Sequence, residues 1–140
     1  MAALLAVSGP GGADPAPAHA TLDITVRGIT SAKGVIRLAI CPPAVGFPDC
    51  KGHELRSASL PIHNLEARIQ FTDLPAGTYG ISVFHDANAN GKLDLFLGIP
   101  REGYGFSRNP PFRPRAPRFN EVEMAVSGAA ATTISLRYIL

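Results

Sequence analysis

Apolar and polar side chains alternate along most of this chain, and that two-residue period predicts strands. Over residues 21–28, Leu22, Ile24 and Val26 fall on one face and Thr21, Asp23, Thr25 and Arg27 on the other, ending at Gly28. Residues 31–34 read as a turn. Residues 35–41 then offer Ile36, Leu38 and Ile40 to one face with Arg37 outward, so the first two strands are expected to pair as a hairpin. Residues 54–63 form a weaker strand with Ala58, Leu60 and Ile62 in step, and Pro61, which cannot donate to a ladder, places it at a sheet edge. Leu65, Ala67, Ile69 and Phe71 mark a fourth strand. Tyr79, Ile81, Val83 and His85 mark a fifth, opposite Ser82 and Phe84.

The turn at 73–79 that opens the fifth strand carries Leu74-x-x-Gly77-x-Tyr79, which resembles the tyrosine corner of Greek-key sandwiches, where the phenol bonds back to the chain. Alternation returns over residues 119–126 (Val122, Met124, Val126) and, after Ser127-Gly128, over residues 133–140 (Ile134, Leu136, Tyr138, Leu140). Seven short strands without a helical period predict an all-β chain, a seven-stranded antiparallel Greek-key β-sandwich. Residues 95–118 have no period and many Gly and Pro, the mark of a long loop with a function or without order.

Composition narrows this picture. The 140 residues suit one domain, and 46% hydrophobic against 17% charged residues supplies a continuous core. A net charge of +2, spread along the chain, implies neither nucleic-acid binding nor a strong membrane-surface field. No apolar run reaches the roughly 18 residues of a transmembrane helix. Residues 1–20 differ: a short apolar start, a Gly/Pro/Ala-rich stretch and the triplet Ala18-His19-Ala20 predict a secretory signal cleaved after Ala20, or else a disordered leader, with the domain spanning 21–140. The missing basic residue before the apolar start fits a start codon assigned too late. Export to the periplasm or beyond follows. So does a disulfide between Cys41 and Cys50, the only cysteines, which bracket a Pro- and Gly-containing turn; free thiols or a metal pair with His53 are the alternatives.

One stretch concentrates oxygen-bearing side chains at fixed spacing. Asp86, Asn88, Asn90 and Asp94 fall at positions 1, 3, 5 and 9 of a calcium loop, with Gly91 at the sharp turn and the Lys92 carbonyl at position 7. Calcium takes several hard oxygens, and alternate residues of a tightly wound loop aim them at one point. Position 12 is Leu97 instead of the bidentate Glu, and a strand precedes Asp86, so the stretch is not an EF-hand. With two carboxylates, affinity would be about 0.1–1 mM, and Glu102 or Asp73 would have to complete the shell. The competing reading is a type I′ turn at Asn90-Gly91 with side-chain to backbone bonds and no ion. His85 beside the loop suits a hydrogen-bonded core better than catalysis, because successive strand side chains point apart and His85 and Asp86 cannot then cooperate. Ser82 and Ser107 lack a nucleophile context. Residues 108–118 hold four arginines among prolines, with Phe112 and Phe106 as stacking partners: a solvated crossover, or a stiff arm for an anionic partner.

Gly46-Phe47-Pro48, the block 73–79, Phe84-His85-Asp86 through Asp94, and Leu97-Gly98-Ile99-Pro100-x-Glu102-Gly103-Tyr104-Gly105-Phe106-Ser107 resemble, in order and spacing over about residues 21–140, the bacterial exported family termed domain of unknown function 2141. The resemblance implies export, a prealbumin-like or immunoglobulin-like sandwich and no established activity. It also implies that the glycine-rich block 98–107 packs on the 86–94 loop, which makes Glu102 the outside ligand of choice.

Two functions remain open at this point. The first is an exported, monomeric, non-enzymatic module that binds a small molecule, polysaccharide or protein, and no nucleic acid, at the 86–118 end. The second is a metal- or histidine-assisted hydrolase using His85, Asp86 and Glu102. The chain lacks a zinc set, a nucleophile with a base and a phosphate-cradling loop, which favours the first.

Overall fold

Ten strands, one short α-helix and a 3-10 turn at Cys50–Gly52 are formed among the described residues of this computed structural model, which are 19–43, 46–48 and 50–139. In order they are β1 (His19–Arg27), β2 (Val35–Cys41), β3 (Arg56–Leu60), β4 (Ala67–Pro75), β5 (Gly77–Asp86), β6 (Leu95–Phe96), β7 (Ile99–Pro100), β8 (Tyr104–Phe106), α1 (Phe119–Val122), β9 (Met124–Val126) and β10 (Ala129–Ser135). The chain is mostly β, as the alternation requires. The expected leader lies outside the described residues over 1–18, while His19 and Ala20 already pair with Pro75 and Leu74 of β4.

Three sheets result: β10-β1-β4, β3-β2-β5-β8 with β9 on β5, and the small β6-β7 pair. The predicted β1–β2 hairpin is not formed. β1 and β2 belong to different sheets, because the connection between them is too long for a two-residue hairpin turn and buries Ile29 (4% exposed) midway, so the chain crosses over instead of folding back. Both strands still bury the faces their alternation marks. Leu22, Ile24 and Val26 join Ile36, Leu38, Ile40, Tyr79, Ile81 and Val83 in one core cluster. β3 lies at the edge of its sheet, and Pro61 follows its last residue.

The purely antiparallel expectation fails at β10, which runs parallel to β1 from Thr21↔Ala129 to Arg27↔Ser135. Its start is Ala129-Ala130-Ala131, where small residues carry no contrast for a period to register; the ladder to β1 defines the strand. The expected strand over 119–126 is half helical. Glu121 Oε1 accepts the Arg118 N–H at 2.8 Å and closes the turn of α1, leaving only Met124–Val126 to pair with β5. Within 95–118, which carried no period, β6, β7 and β8 are too short for one to appear.

Tyr79 donates its hydroxyl to the Pro75 carbonyl at 2.6 Å, so the tyrosine corner is made. Burial raises the phenol's pKa against the opposing pull of Arg56. Cys41, at the end of β2, and Cys50 form a disulfide with Cα atoms 6.0 Å apart and both side chains fully buried. The segment it closes is fastened over β5: Ser82 Oγ donates to Pro48 O at 3.2 Å, and the Phe47 ring packs on Phe106 and Phe119 at 5.7 and 6.2 Å. Replacing both cysteines with alanine is expected to cost about 2–3 kcal/mol, the closure entropy of so short a loop. Urea denaturation of the double variant checks this, and a midpoint unchanged from wild type would contradict it.

Candidate functional site

β5 ends on His85 and Asp86, and everything expected of the functional end is arranged around them. His85 is 2% exposed, with each ring nitrogen taken: Nε2 lies 2.6 Å from the Lys33 carbonyl and Nδ1 2.9 Å from the Tyr138 hydroxyl. A carbonyl can only accept, so Nε2 donates to Lys33 O, while Nδ1 is paired with the phenol hydroxyl. The Tyr138 oxygen in turn accepts the Thr30 N–H at 3.2 Å. This relay ties the β1–β2 crossover to the segment that follows β10 through the end of β5. It leaves the imidazole no nitrogen for a substrate.

Asp86 is fully buried and accepts three donors. Oδ2 takes Arg37 Nε at 2.7 Å and Gly91 N at 2.8 Å, and Oδ1 takes Asn90 N at 3.0 Å. Burial pushes its carboxyl up, but the bonds from Arg37, Gly91 and Asn90, with the guanidinium charge, outweigh that and hold it below the ordinary value of 3.8. Arg37 reaches it because β2 and β5 pair with Arg37 opposite Phe84, and its Nη1 is steadied by Ser59 Oγ at 2.7 Å.

Glu102, expected as an outside ligand, clamps the loop at both ends: Oε2 accepts Ala87 N and Oε1 accepts Asp94 N, each at 3.0 Å. His85 N donates to Gly103 O at 2.8 Å, so the block 98–107 does pack on the loop. Between the clamps, Asn88 Nδ2 and Asn90 Nδ2 donate to Asp94 at 2.6 and 2.8 Å, and these bonds, before all else, lower the Asp94 carboxyl. Lys92 N donates to Asn90 Oδ1 at 3.1 Å.

The sequence-designated residues Asp86, Asn88, Asn90, Lys92, Asp94 and Glu102 therefore do converge, but as acceptors and donors to one another and to the backbone. Among the described residues no three His, Cys, Asp or Glu side chains are placed to hold a metal ion. The carboxylates of Asp86 and Glu102 face N–H groups that a cation would repel. Ser107 is likewise structural, accepting Ile81 N at 3.0 Å and donating to Val122 O at 2.6 Å while fully buried.

What alternation could not single out is Arg37, which reads only as an outward strand residue, and Tyr138, which reads as core. Their roles depend on which strands become neighbours. The arm 108–118 also acquires a geometry. It lies along β8 and the end of β10 and forms a cleft of about 150 Å³ lined by Tyr104, Phe106, Phe112, Arg113, Arg115 and Arg137, among others. Arg115 bonds both oxygens of Glu121 at 2.9 and 3.1 Å and Arg113 adds a contact at 3.6 Å, which together with the Arg118 N–H hold the Glu121 carboxyl down at about 2. Arg137 lies over the Phe112 ring, 5.7 Å from its centroid. Three guanidiniums against one carboxylate leave the cleft positive.

Comparison with known proteins returns one family model, described as an uncharacterized protein conserved in bacteria (DUF2141), over residues 24–135. No curated protein and no solved structure matches the chain.

Proposed function

The chain belongs to the DUF2141 family, which is defined without an activity, and from that premise we propose that it is an exported, non-enzymatic binding module for an acidic polysaccharide. The observation that carries this is the positive, aromatic-lined cleft between the 108–118 arm and the end of β10. Exposed Phe112 and half-buried Tyr104 present flat apolar faces for sugar rings, while Arg137 and Arg113 offer planar donors matched to carboxylates and Arg115 stays paired with Glu121. The buried disulfide suits an oxidising compartment. Within this reading the two main sheets form a sandwich of the immunoglobulin or prealbumin kind, a rigid block that fixes both the clamped loop and the cleft. Burial of His85, Asp86 and Glu102 with their polar atoms engaged supports this reading over a hydrolase.

Calorimetric titration with oligogalacturonate tests the proposal, with neutral dextran as control. Binding of the uronate, weakened about tenfold in Arg137→Ala and in Phe112→Ala, is expected. Equal binding of dextran, or no heat with the uronate, overturns it.

A further inference from the structure

Among the described residues, the β6–β7 hairpin is the place where large apolar side chains stand consecutively in water. Leu95 is 56% exposed, Phe96 52%, Leu97 85% and Ile99 41%. The two strands pair only with each other, Leu95↔Pro100 and Phe96↔Ile99, outside both larger sheets, and a Cβ placed on Gly98 would meet nothing. The hairpin is therefore a projecting tip and lacks the walls of a groove.

Its apex is doubly unfavourable in water. Leu97 and Gly98 both have positive φ, +52° and +81°, as a tight hairpin turn demands. Asn at position 97 would adopt that conformation more readily than Leu and would be better solvated. A bulky aliphatic in a left-handed conformation at the most exposed point has no role in the core. Together these side chains leave on the order of 400 Å² of apolar surface in water, the size at which patches on monomers often carry a function.

The surround is basic. Lys33, Lys92 and Arg101 are exposed and line a shared depression at the root of the hairpin, and Arg101 lies over the Phe96 ring at 6.0 Å from its centroid. Two carboxylates share that depression, Glu102 accepting from Ala87 N and Asp94 N, and Asp94 from the amides of Asn88 and Asn90, so the three cations leave it net positive by one charge. An apolar tip with three exposed cations and a net positive root complements an anionic lipid surface, with the tip entering the acyl boundary and the cations at headgroup level.

We propose that the Leu95–Phe96–Leu97–Gly98–Ile99 hairpin is a membrane-docking tip for anionic lipid bilayers. The clamped 86–94 loop holds it at a fixed angle to the sheets. A protein groove could also accept an apolar tip, but the ring of three cations favours the charged lipid plane.

The chain contains no tryptophan, so Leu97→Trp places a single indole at the apex. Mixing this variant with phosphatidylcholine vesicles containing about a third phosphatidylglycerol is expected to shift its emission to the blue. Vesicles of phosphatidylcholine alone are expected to give little shift, and added salt to reverse it. In co-sedimentation of the otherwise unaltered chain, Leu97→Asp is expected to lower the vesicle-bound fraction about tenfold or more, and Lys92→Ala/Arg101→Ala to remove the preference for the anionic lipid. Both substitutions are at exposed positions, and circular dichroism verifies that the fold is kept. No blue shift with either vesicle overturns the proposal. So does Leu97→Asp binding vesicles as wild type, or a concentration-dependent dimer abolished by Leu97→Asp, which would assign the tip to a second copy of the chain.

Discussion

Asp86→Ala is expected to destabilise the protein by about 3–5 kcal/mol, because it removes a buried carboxylate and strands three donors at once. The Arg37 guanidinium, two-thirds screened from water, would lose its partner, and the N–H groups of Asn90 and Gly91 would lose the acceptor that winds the loop. The deficit has a pH signature. In the fold the carboxyl sits below its ordinary 3.8, so its contribution is complete above that value and is lost as pH falls through the lower folded value. Wild type and variant should therefore differ most near neutrality and converge in acid. Urea denaturation at pH 7 and at about pH 3 reads this directly. A gap that widens in acid would show that Asp86 is held protonated and not as the anion its three donors imply.

Gly34→Ala should be nearly as damaging, at about 3–4 kcal/mol, for a purely steric reason. Gly34 enters β2 at φ +69°, and a Cβ there would run into the Asp86 carbonyl oxygen and the Ala87 backbone, which lie directly against it. Gly52 provides the contrast. It too has positive φ, +80°, but a Cβ on it meets nothing, so Gly52→Ala should cost only the conformational part, about 1 kcal/mol. Thermal melting of the two variants separates close packing from backbone strain, and equal losses would show that the approach of β5 to Gly34 is not the constraint.

These two sites show what could be read from the sequence and what could not. The alternating faces of β1, β2 and β5 were legible because burial is decided residue by residue: Leu22, Ile36 and Ile81 are buried wherever their strands are placed. Tyr79 was legible for the same local reason, its acceptor lying four residues upstream. Partnership was not. The separation of β1 from β2 and the parallel union of β1 with β10 depend on a crossover that no short-range pattern encodes.

The loop at 86–94 was visible as a spacing of oxygens, a spacing that a calcium shell and a self-bonded turn share. The Arg37 donor that fills Asp86 Oδ2 comes from β2, far upstream, and the Glu102 carboxylate that takes the loop's Ala87 and Asp94 N–H groups comes from beyond the β6–β7 hairpin. Nor did any period betray the hairpin itself, since its run of apolar residues faces outward, where alternation has nothing to sort.

The union of β1 with β10 also dictates when this protein can exist. Its three-stranded sheet places β1 in the middle, between β4 and a strand that begins at Ala129, so the central member waits for a partner made far downstream. Until then β1 has one open ladder edge, and Leu22, Ile24 and Val26 have only part of their cover. Closing a loop of that span before any contact rewards it makes folding slow and late. A product cut short before β10 would be left with a sticky edge for proteases and neighbours to find.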